Sequence, residues 1–466
     1  MHPIDAPEDR RVLSSNEPFS AILPAVVGSV SGAFAFVALA GAMVSGNGRY
    51  TPLAIVLALA GFGGMAVMAR ETLRSQAPPE RTWEHVLTVS LLLCLILGLT
   101  TPPGSFVQGA AYRVVQALVN LVLIGAVSRT FLRRVPVFSS CRAVFFAAVA
   151  AGFALRLAMP VVSPSPVIDV FAQFQESAQH LLDGLNPYTV PFSDVYRGTR
   201  DYGYRTFGYA YLPANILPQT VSYWLTGDVR YGCIAAEAIV AVALYRIARP
   251  APGRLAPMLV VLLFLFHPRG LYVIEQAWTE PFIAGAFALF LWLRDRKPGS
   301  AWPAVAYGYM LSLKQYLVYF VLHLFMIERR PKALAAAAAT GFLTLVPFLV
   351  WNPASLFTYG VMFQLETPFR PDGLTVVALL YRLFGFTAGK WLAALVGLGV
   401  GVYTYWRFIA LGLPGYLLAV TLTTYAIFLF GSQAFCNYYY LVSVLCLFVM
   451  AVHDRPKVSW TIVAAR

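Results

Sequence analysis

Isolated charged residues interrupt long apolar stretches of this sequence at a few places. Asp169 begins the run "DVFAQFQESAQHLL" after a Ser-Pro linker, Glu280 directly precedes Pro281, and Lys314 lies inside "YGYMLSLKQYLVYF". A charge in an apolar environment of this kind costs about 2.5 to 3.5 kcal/mol or more unless it is paired or hydrated. A carboxylate can accept the proton of a hydroxyl, and cations can hold the charge on a departing phosphate. Together these residue types predict a reaction between a lipid-borne phosphate and a hydroxyl.

Each of these residues also has a structural explanation when it is taken alone. Asp169 could cap its own helix, and Glu280 could cap a helix or pair with the helix dipole. Lys314 could extend to the membrane surface or form a structural pair. His267 is more often a hydrogen-bonding residue of the core than a base. The combination favours the chemical interpretation more than any single residue does.

The composition of the chain predicts a membrane protein with many crossings. Of its 466 residues 59% are hydrophobic and 12% are charged, and the mean hydropathy is +0.68. Apolar runs of about 17 to 25 residues recur along the chain, long enough to cross a bilayer as helices. The net charge of +13 comes from Arg and Lys in short loops, which indicates orientation in a membrane and no nucleic-acid partner. The five cysteines form no CxxC pair and are interpreted as packing residues.

The basic loops alternate correctly if the N-terminus is cytoplasmic. The first apolar run lacks a basic region before it and is expected to be a retained anchor. Between 302 and 327 the basic clusters at both ends demand the same side, which predicts two short helices folded back at a turn near Ser312, Lys314 and Gln315. Counting this pair, about fourteen crossings are expected. The other candidate spans are 21–45, 51–69, 84–101, 107–128, 142–160, 229–249, 256–273, 279–294, 333–351, 391–407, 412–430 and 436–453.

Two long loops are expected on the outer side, 161–228 and 352–390. The first opens with an amphipathic helix that should lie on the membrane surface and end at Gly184. The pieces 212–227 and 375–385 are too short or too polar to cross and are predicted as interfacial helices. The apolar face of the amphipathic helix comprises Val170, Phe171, Phe174, Ala178, Leu181 and Leu182.

Several short motifs follow one another in an order that resembles a known superfamily. They are "GLNPY" at 184–188, "YAYLP" at 209–213, "EQAWTEP" at 275–281 and "SLKQY" at 312–316, with "ERRPK" after them. Over residues 142 to 453 the chain resembles the GT-C superfamily of membrane glycosyltransferases, most closely the mannosyltransferases that use polyprenol-phosphate-mannose. The resemblance implies an all-α GT-C-type bundle of about 13 to 14 spans with interfacial helices in the two outer loops.

The resemblance also implies roles for individual residues. Asp169 matches the general base of the first outer loop, Glu280 a second acid that orients sugar or acceptor, and Lys314 the lysine that binds the donor phosphate. Arg269 and Arg205 are looser candidates for the same phosphate. No acidic pair surrounds Asp169, so a metal-independent reaction without a cofactor is expected. Possible further substrate contacts are His267, Gln276, Gln315, Tyr188 and Tyr209.

The implied reaction is an inverting transfer of a sugar, most commonly mannose, from a polyprenol-phosphate to a hydroxyl of a glycolipid or cell-envelope glycan. The site would face the outer side of the plasma membrane, with both termini in the cytoplasm. Residues 1–134 form a four-span region without a counterpart in the family, 135–453 the catalytic module and 454–466 a cytoplasmic tail.

Two other function classes fit parts of the sequence. A lipid-linked sugar flippase or transporter would also use charges within the membrane, although no repeat symmetry is visible. An O-antigen ligase or polymerase would use His267, Arg269 and Arg370 in place of Asp169. Loss of Asp169 should stop chemistry and leave donor binding intact only in the first interpretation.

Overall fold

The computed structural model describes residues 19–74, 79–133, 142–196, 208–251 and 253–453. Within these ranges the protein is an all-α bundle. Its first ten helices are α1 (Phe19–Gly46), α2 (Pro52–Arg74), α3 (Glu80–Thr100), α4 (Ala111–Arg133), α5 (Arg142–Val162), α6 (Asp169–Leu182), α7 (Ile216–Thr226), α8 (Arg230–Ile247), α9 (Ala256–Leu265) and α10 (Gly270–Glu275). The next ten are α11 (Glu280–Arg296), α12 (Trp302–Leu311), α13 (Phe320–Leu324), α14 (Pro331–Trp351), α15 (Pro353–Phe357), α16 (Phe363–Glu366), α17 (Val376–Phe384), α18 (Trp391–Phe408), α19 (Leu413–Leu429) and α20 (Cys436–Val452).

Seven helices of the described residues are long and apolar enough to cross a membrane, namely α1 to α5, α14 and α18. The prediction of an all-α membrane protein is confirmed at this level. The helices α19 and α20 are shorter, with 17 residues each, and are buried along almost their whole length. A helix that is apolar on every side belongs in the interior of a bundle, and these two helices form its centre.

The segment 302–327 folds back on itself, as the basic clusters at its ends predict. Helix α12 ends at Leu311, and a 3₁₀ turn over Gln315–Tyr319 leads into α13. The hydroxyl of Tyr307 donates to the carbonyl of Phe320 at 2.7 Å. In one continuous helix these residues would be about 20 Å apart. The chain therefore reverses at Ser312 to Lys314.

The predicted single span at 256–273 is wrong. Helix α9 ends at Leu265, the chain turns through His267 to Arg269, and the short helix α10 follows. Pro268 explains the break, because proline disfavours the helical conformation in the residue before it and lacks the N–H that would continue the helix. The break places the loop between α10 and α11 beside the end of α5.

The amphipathic helix α6 forms where the sequence predicts it and ends in a Schellman motif. Gly184 has φ +74°, and the N–H of Leu185 donates to the carbonyl of His180 at 2.8 Å. The buried face differs in part from the predicted one, because Gln173 and Ser177 are buried whereas Leu182 is 46% exposed. Helix α6 packs against α7.

Helices are also present in the segments 212–227 and 375–385, and their position at the membrane surface stays a prediction. Helix α7 covers residues 216–226 and is linked to α6 by the side chain of Gln175, which donates to the carbonyl of Gly227 at 2.6 Å. Helix α17 covers residues 376–384. It exposes Leu383 and Phe384 by 62% and 75%, which fits a helix that lies against lipid.

The turn between α1 and α2 is packed tightly against the start of α20. Gly48 has φ +74°, and a Cβ atom at this position would lie 2.2 Å from the backbone nitrogen of Cys436. The next residues, Arg49 and Tyr50, pair with the backbone of Asp372 and Gly373. Only glycine fits here, so the first helical hairpin is built into the end of the bundle that also carries α6 and α17.

We expect Gly48→Ala to destabilise the protein far more than Gly109→Ala. Both glycines have φ +74°, and alanine there costs about 1 to 2 kcal/mol in backbone strain alone. At Gly109 nothing lies within 4 Å of the added Cβ, whereas at Gly48 the backbone of Cys436 blocks it. Thermal unfolding of both variants in detergent checks the difference. Equal losses of stability would contradict the tight packing of this turn.

Candidate functional site

A cavity of about 540 Å³ opens at the end of the bundle where α1 finishes and α2 begins. Its volume is within the range of small-molecule sites. The interhelical loops at this end of the bundle come together around the cavity. This agrees with the sequence analysis, which groups the unusual polar residues at one face. The lining is drawn from residues 46–49, 105–106, 167–173, 196, 210–211, 272–278, 314, 363–370 and 433–438.

Asp169 lies on the cavity wall at the first turn of α6. An extended linker from the end of α5 leads into it, and Ile168 still has β-type dihedral angles. Its Oδ1 accepts the N–H of Val170 at 2.9 Å and the hydroxyl of Tyr196 at 3.3 Å. Burial raises the pKa of Asp169 above its ordinary value, and the hydrogen bonds from Val170 and Tyr196 and the charge of Arg370 only partly oppose this effect. A carboxylate of raised pKa is a stronger base.

Lys314 forms part of the cavity floor, at the turn between α12 and the 3₁₀ segment. The backbone is extended here, with φ −154° and ψ 145°, so the side chain leaves the helix axis. Its Nζ atom donates to Oε1 of Glu280 at 2.7 Å. The rings of Tyr211, Tyr316 and Tyr438 surround it, with Nζ 5.6, 5.3 and 4.8 Å from their centroids. The ammonium group is thereby held in place, and Lys314 lines the cavity.

Glu280 lies behind Lys314 and is completely buried. It accepts hydrogen bonds from the hydroxyl of Tyr316 at 3.2 Å and from Nδ2 of Asn437 at 2.9 Å, in addition to the one from Lys314. All these donors fix the carboxylate as the anchor of the lysine. Glu280 therefore does not line the cavity itself, and it influences the cavity through Lys314 and Asn437, which are lining residues.

Two arginines add positive charge to another part of the wall. Arg370 binds the carboxylate of Asp372 with two hydrogen bonds of 2.8 Å and stacks over Phe435 at 5.0 Å. Arg49 approaches the same carboxylate at 3.7 Å. Both arginines line the cavity. Among the described residues, the cavity wall therefore has three basic side chains, counting Lys314.

The structure brings three of the predicted residues to the cavity surface: Asp169, Lys314 and Gln276. Arg269 is set back from it. Its guanidinium stacks on Tyr272, which does line the cavity, at 4.9 Å and donates to the carbonyl of Pro102 at 3.3 Å. Arg205 lies outside the described residues.

The remaining predicted contacts make bonds within the protein. His267 is buried with its ring edge-on to Phe36, at 5.7 Å, and to Tyr440, at 6.0 Å. The side chain of Gln315 donates to the carbonyl of Gly360. The last two are Tyr188, which donates to the carbonyl of Tyr211, and Tyr209, which donates to Gln219.

Sequence reasoning missed several residues that line the cavity. Tyr211 belongs to the "YAYLP" motif, and Asn437 and Tyr438 follow a polar interruption before the last apolar run, so both places carried a weak signal. Arg49 carried none, because it lies in a region without family motifs. The residues concerned are Arg49, Tyr196, Tyr211, Asn437 and Tyr438.

A buried acid ties the loop after α3 to this site. Glu275 accepts the N–H of Ser105 at 2.6 Å, the N–H of Phe106 at 2.8 Å and the hydroxyl of Ser163 at 3.1 Å. Ser105 and Phe106 line the cavity, and Ser163 begins the linker to Asp169. Glu275 therefore has a positioning role that the sequence did not reveal.

Among the residues that the structure describes, no group of three or more His, Cys, Asp or Glu side chains is arranged to hold a metal ion. The described lining offers one carboxylate that can accept a proton, and Lys, Arg and amide donors that can bind anionic groups.

Comparisons of this chain with protein-family models, with curated proteins and with solved structures gave no match. The function must therefore be inferred from the chemistry of the cavity.

We expect Lys314→Met to reduce stability by about 3 kcal/mol or more, because it leaves the buried Glu280 without its cation. The double variant Glu280→Gln with Lys314→Met should recover part of this loss. Detergent-induced unfolding of the two single variants and the double variant measures the coupling energy. Lys297→Met, at an exposed lysine, is the control. Additive effects of the two substitutions would contradict a coupled pair.

Proposed function

We propose that this chain is an inverting glycosyltransferase of the GT-C type. It transfers a sugar, mannose in the commonest case, from a polyprenol-phosphate to a hydroxyl of a glycolipid or cell-envelope glycan at the outer face of the membrane. The observation that carries the proposal is that Asp169 and Lys314 line a single cavity.

The reaction uses these two groups at opposite ends of one displacement. The acceptor hydroxyl attacks the anomeric carbon, and its proton passes to Asp169. The bond between the anomeric carbon and the phosphate oxygen breaks, and the electron pair leaves with the phosphate. Negative charge thus moves from the carboxylate to the departing phosphate, where a cation stabilises it. The total charge of the cavity and its contents does not change.

The arrangement of the two acids supports a single displacement. A double displacement needs a second carboxylate as nucleophile at the reacting carbon. Glu280 is buried and engaged with Lys314, Tyr316 and Asn437. Asp169 is the acid of the described lining, so one base acts and the configuration inverts.

The lining also suits a lipid-linked sugar. Apolar residues such as Val167, Ile168 and Phe363 alternate with amide and hydroxyl groups such as those of Gln276 and Asn437. Amide side chains can hydrogen-bond sugar hydroxyls, and the apolar residues can contact the chain of a lipid.

The positions of His267 and Arg269 favour this proposal over the ligase alternative. Arg370 lines the cavity, as a ligase would require, but His267 is buried against Phe36 and Tyr440 and Arg269 is behind Tyr272. The cation of such an enzyme would be present without its histidine base. A transporter is separated by the first experiment below, because it moves its substrate without forming a new glycosidic bond.

We expect Asp169→Asn to reduce sugar transfer about 100-fold or more, since a general base contributes a factor of about this size. Transfer is measured in nanodiscs with radiolabelled polyprenol-phosphate-mannose and a membrane lipid extract as acceptor. Asp183→Asn, at the exposed end of the same helix, is the matched control and should retain activity. Full activity of Asp169→Asn would rule out Asp169 as the base, and transport of the label without a new product would favour the alternative.

The pH dependence of transfer should report the environment of Asp169. The carboxylate must be deprotonated to act as a base, so the rate falls as the pH drops through its pKa. Burial raises this pKa, and the acid limb should therefore lie above the ordinary value of about 3.9. Tyr196→Phe removes a hydrogen bond to the charged form and should move the limb to still higher pH.

The control for this shift is Tyr223→Phe, which removes a hydroxyl bonded to Gln179 on α6, away from the cavity. If the acid limb of the pH–rate profile does not move in Tyr196→Phe, or moves equally in both variants, the group that titrates in this limb is not Asp169.

A further inference from the structure

The positive charge around the cavity is divided between two places with different surroundings. Lys314 has one carboxylate, Glu280, for its one ammonium group. On the other part of the wall two guanidinium groups, those of Arg49 and Arg370, approach the carboxylate of Asp372. Arginine stays charged at any accessible pH, so both groups keep their positive charge.

The two arginines differ in how firmly Asp372 engages them. Arg370 makes two short hydrogen bonds to it, and its side chain is only 13% exposed. Arg49 approaches at 3.7 Å, which is longer than a hydrogen bond, and 54% of its side chain is exposed. Arg49 is thus the basic residue of the wall whose charge the protein compensates least.

The backbone around these arginines is fixed by bonds to three parts of the chain. The N–H of Tyr50 donates to the carbonyl of Asp372 at 2.9 Å, and that of Arg370 donates to the carbonyl of Ser432 at 3.1 Å. Arg49 and Gly373 form a β-bridge. A site whose donors are positioned before the ligand arrives loses little entropy on binding.

From these observations we propose that Arg49 and Arg370 form a second phosphate-binding subsite in the cavity, distinct from Lys314 and shared between the first helical hairpin and the segment 370–374. Guanidinium groups suit this ligand because their planar array of N–H donors matches phosphate oxygens. The inference rests on the proposed function for the identity of the substrates, but not for the binding of a phosphate group.

Two substrates could bring a phosphate to this subsite. Arg370 lines the same cavity as Asp169 and acts electrostatically on its carboxylate, which favours the acceptor, whose hydroxyl the base must reach. An acceptor built on a phospholipid headgroup would place its phosphate there while Lys314 holds the phosphate of the donor. The other source is the donor itself, and kinetic measurements distinguish the two.

The first test measures binding without any transfer reaction. The probe is dodecyl phosphate, with uncharged dodecyl glucoside as the reference, added to the protein in nanodiscs of phosphatidylcholine. We expect Arg49→Gln to weaken binding of dodecyl phosphate about tenfold or more and to leave the reference unchanged. Arg49→Lys keeps the charge but loses the planar donor array. Its affinity for dodecyl phosphate should therefore lie between those of the wild type and Arg49→Gln.

The matched control is Arg113→Gln, at an exposed arginine near the start of α4 on the same end of the bundle. It should bind the probe as the wild type does, and thermal unfolding checks that all variants are folded. Wild-type binding of dodecyl phosphate by Arg49→Gln, or an equal loss in Arg113→Gln, would overturn the subsite.

The second test uses the transfer reaction to find the source of the phosphate. A rise in KM for the acceptor alone in Arg49→Gln assigns the subsite to the acceptor, and a rise for the donor alone assigns it to the donor. If neither the wild type nor the Arg49 variants transfer sugar, but wild type still binds dodecyl phosphate more tightly than Arg49→Gln does, the proposed function fails and the subsite stands. If transfer occurs and Arg49→Gln changes neither binding nor KM, the subsite alone fails.

Discussion

The ion pair between Lys314 and Glu280 is the constraint on which the site depends. A lone charge inside an apolar bundle is expensive, and each of these groups is tolerable because the other is 2.7 Å away. The backbone is extended at Lys314, so the side chain leaves the axis of α12 and reaches Glu280. The broken segment 302–327 and the ion pair together fix a cation in the lining of the cavity.

The position of Asp169 also depends on buried charges that are paired or hydrogen-bonded, here at the end of α5. Arg156 is buried and pairs with Glu237 of α8. Arg230 donates to the carbonyls of Ser163, at 2.7 Å, and Pro160, at 3.3 Å. Glu275 adds a bond to the hydroxyl of Ser163. These buried charges anchor the last turn of α5, and the linker that follows has only a few residues in which to reach Asp169.

Sequence patterns predicted the parts of this structure that depend on periodicity and charge parity. The face of α6 that carries Phe174 and Ala178, the Gly184 terminus and the reversal at Ser312 to Lys314 all follow from local composition. The signal for the break at Pro268 was also local, but the prediction of a span at 256–273 gave the long apolar run more weight than the one proline. The partners of buried charges could not be predicted, because Lys314 and Glu280 are 34 positions apart and only the packing of α11 against α12 joins them.

Arg49 shows why the cavity could not be assembled from family-like motifs alone. Residues 1–134 have no motif in common with the resembled family, yet the turn after α1 and the loop after α3 both contribute to the cavity wall. The close contact of Gly48 with Cys436 and the bonds of Glu275 to the loop after α3 are interactions within one packed structure. The division at residue 134 is therefore a boundary of sequence resemblance, and a binding surface built from both sides of it can change its ligand when either side changes.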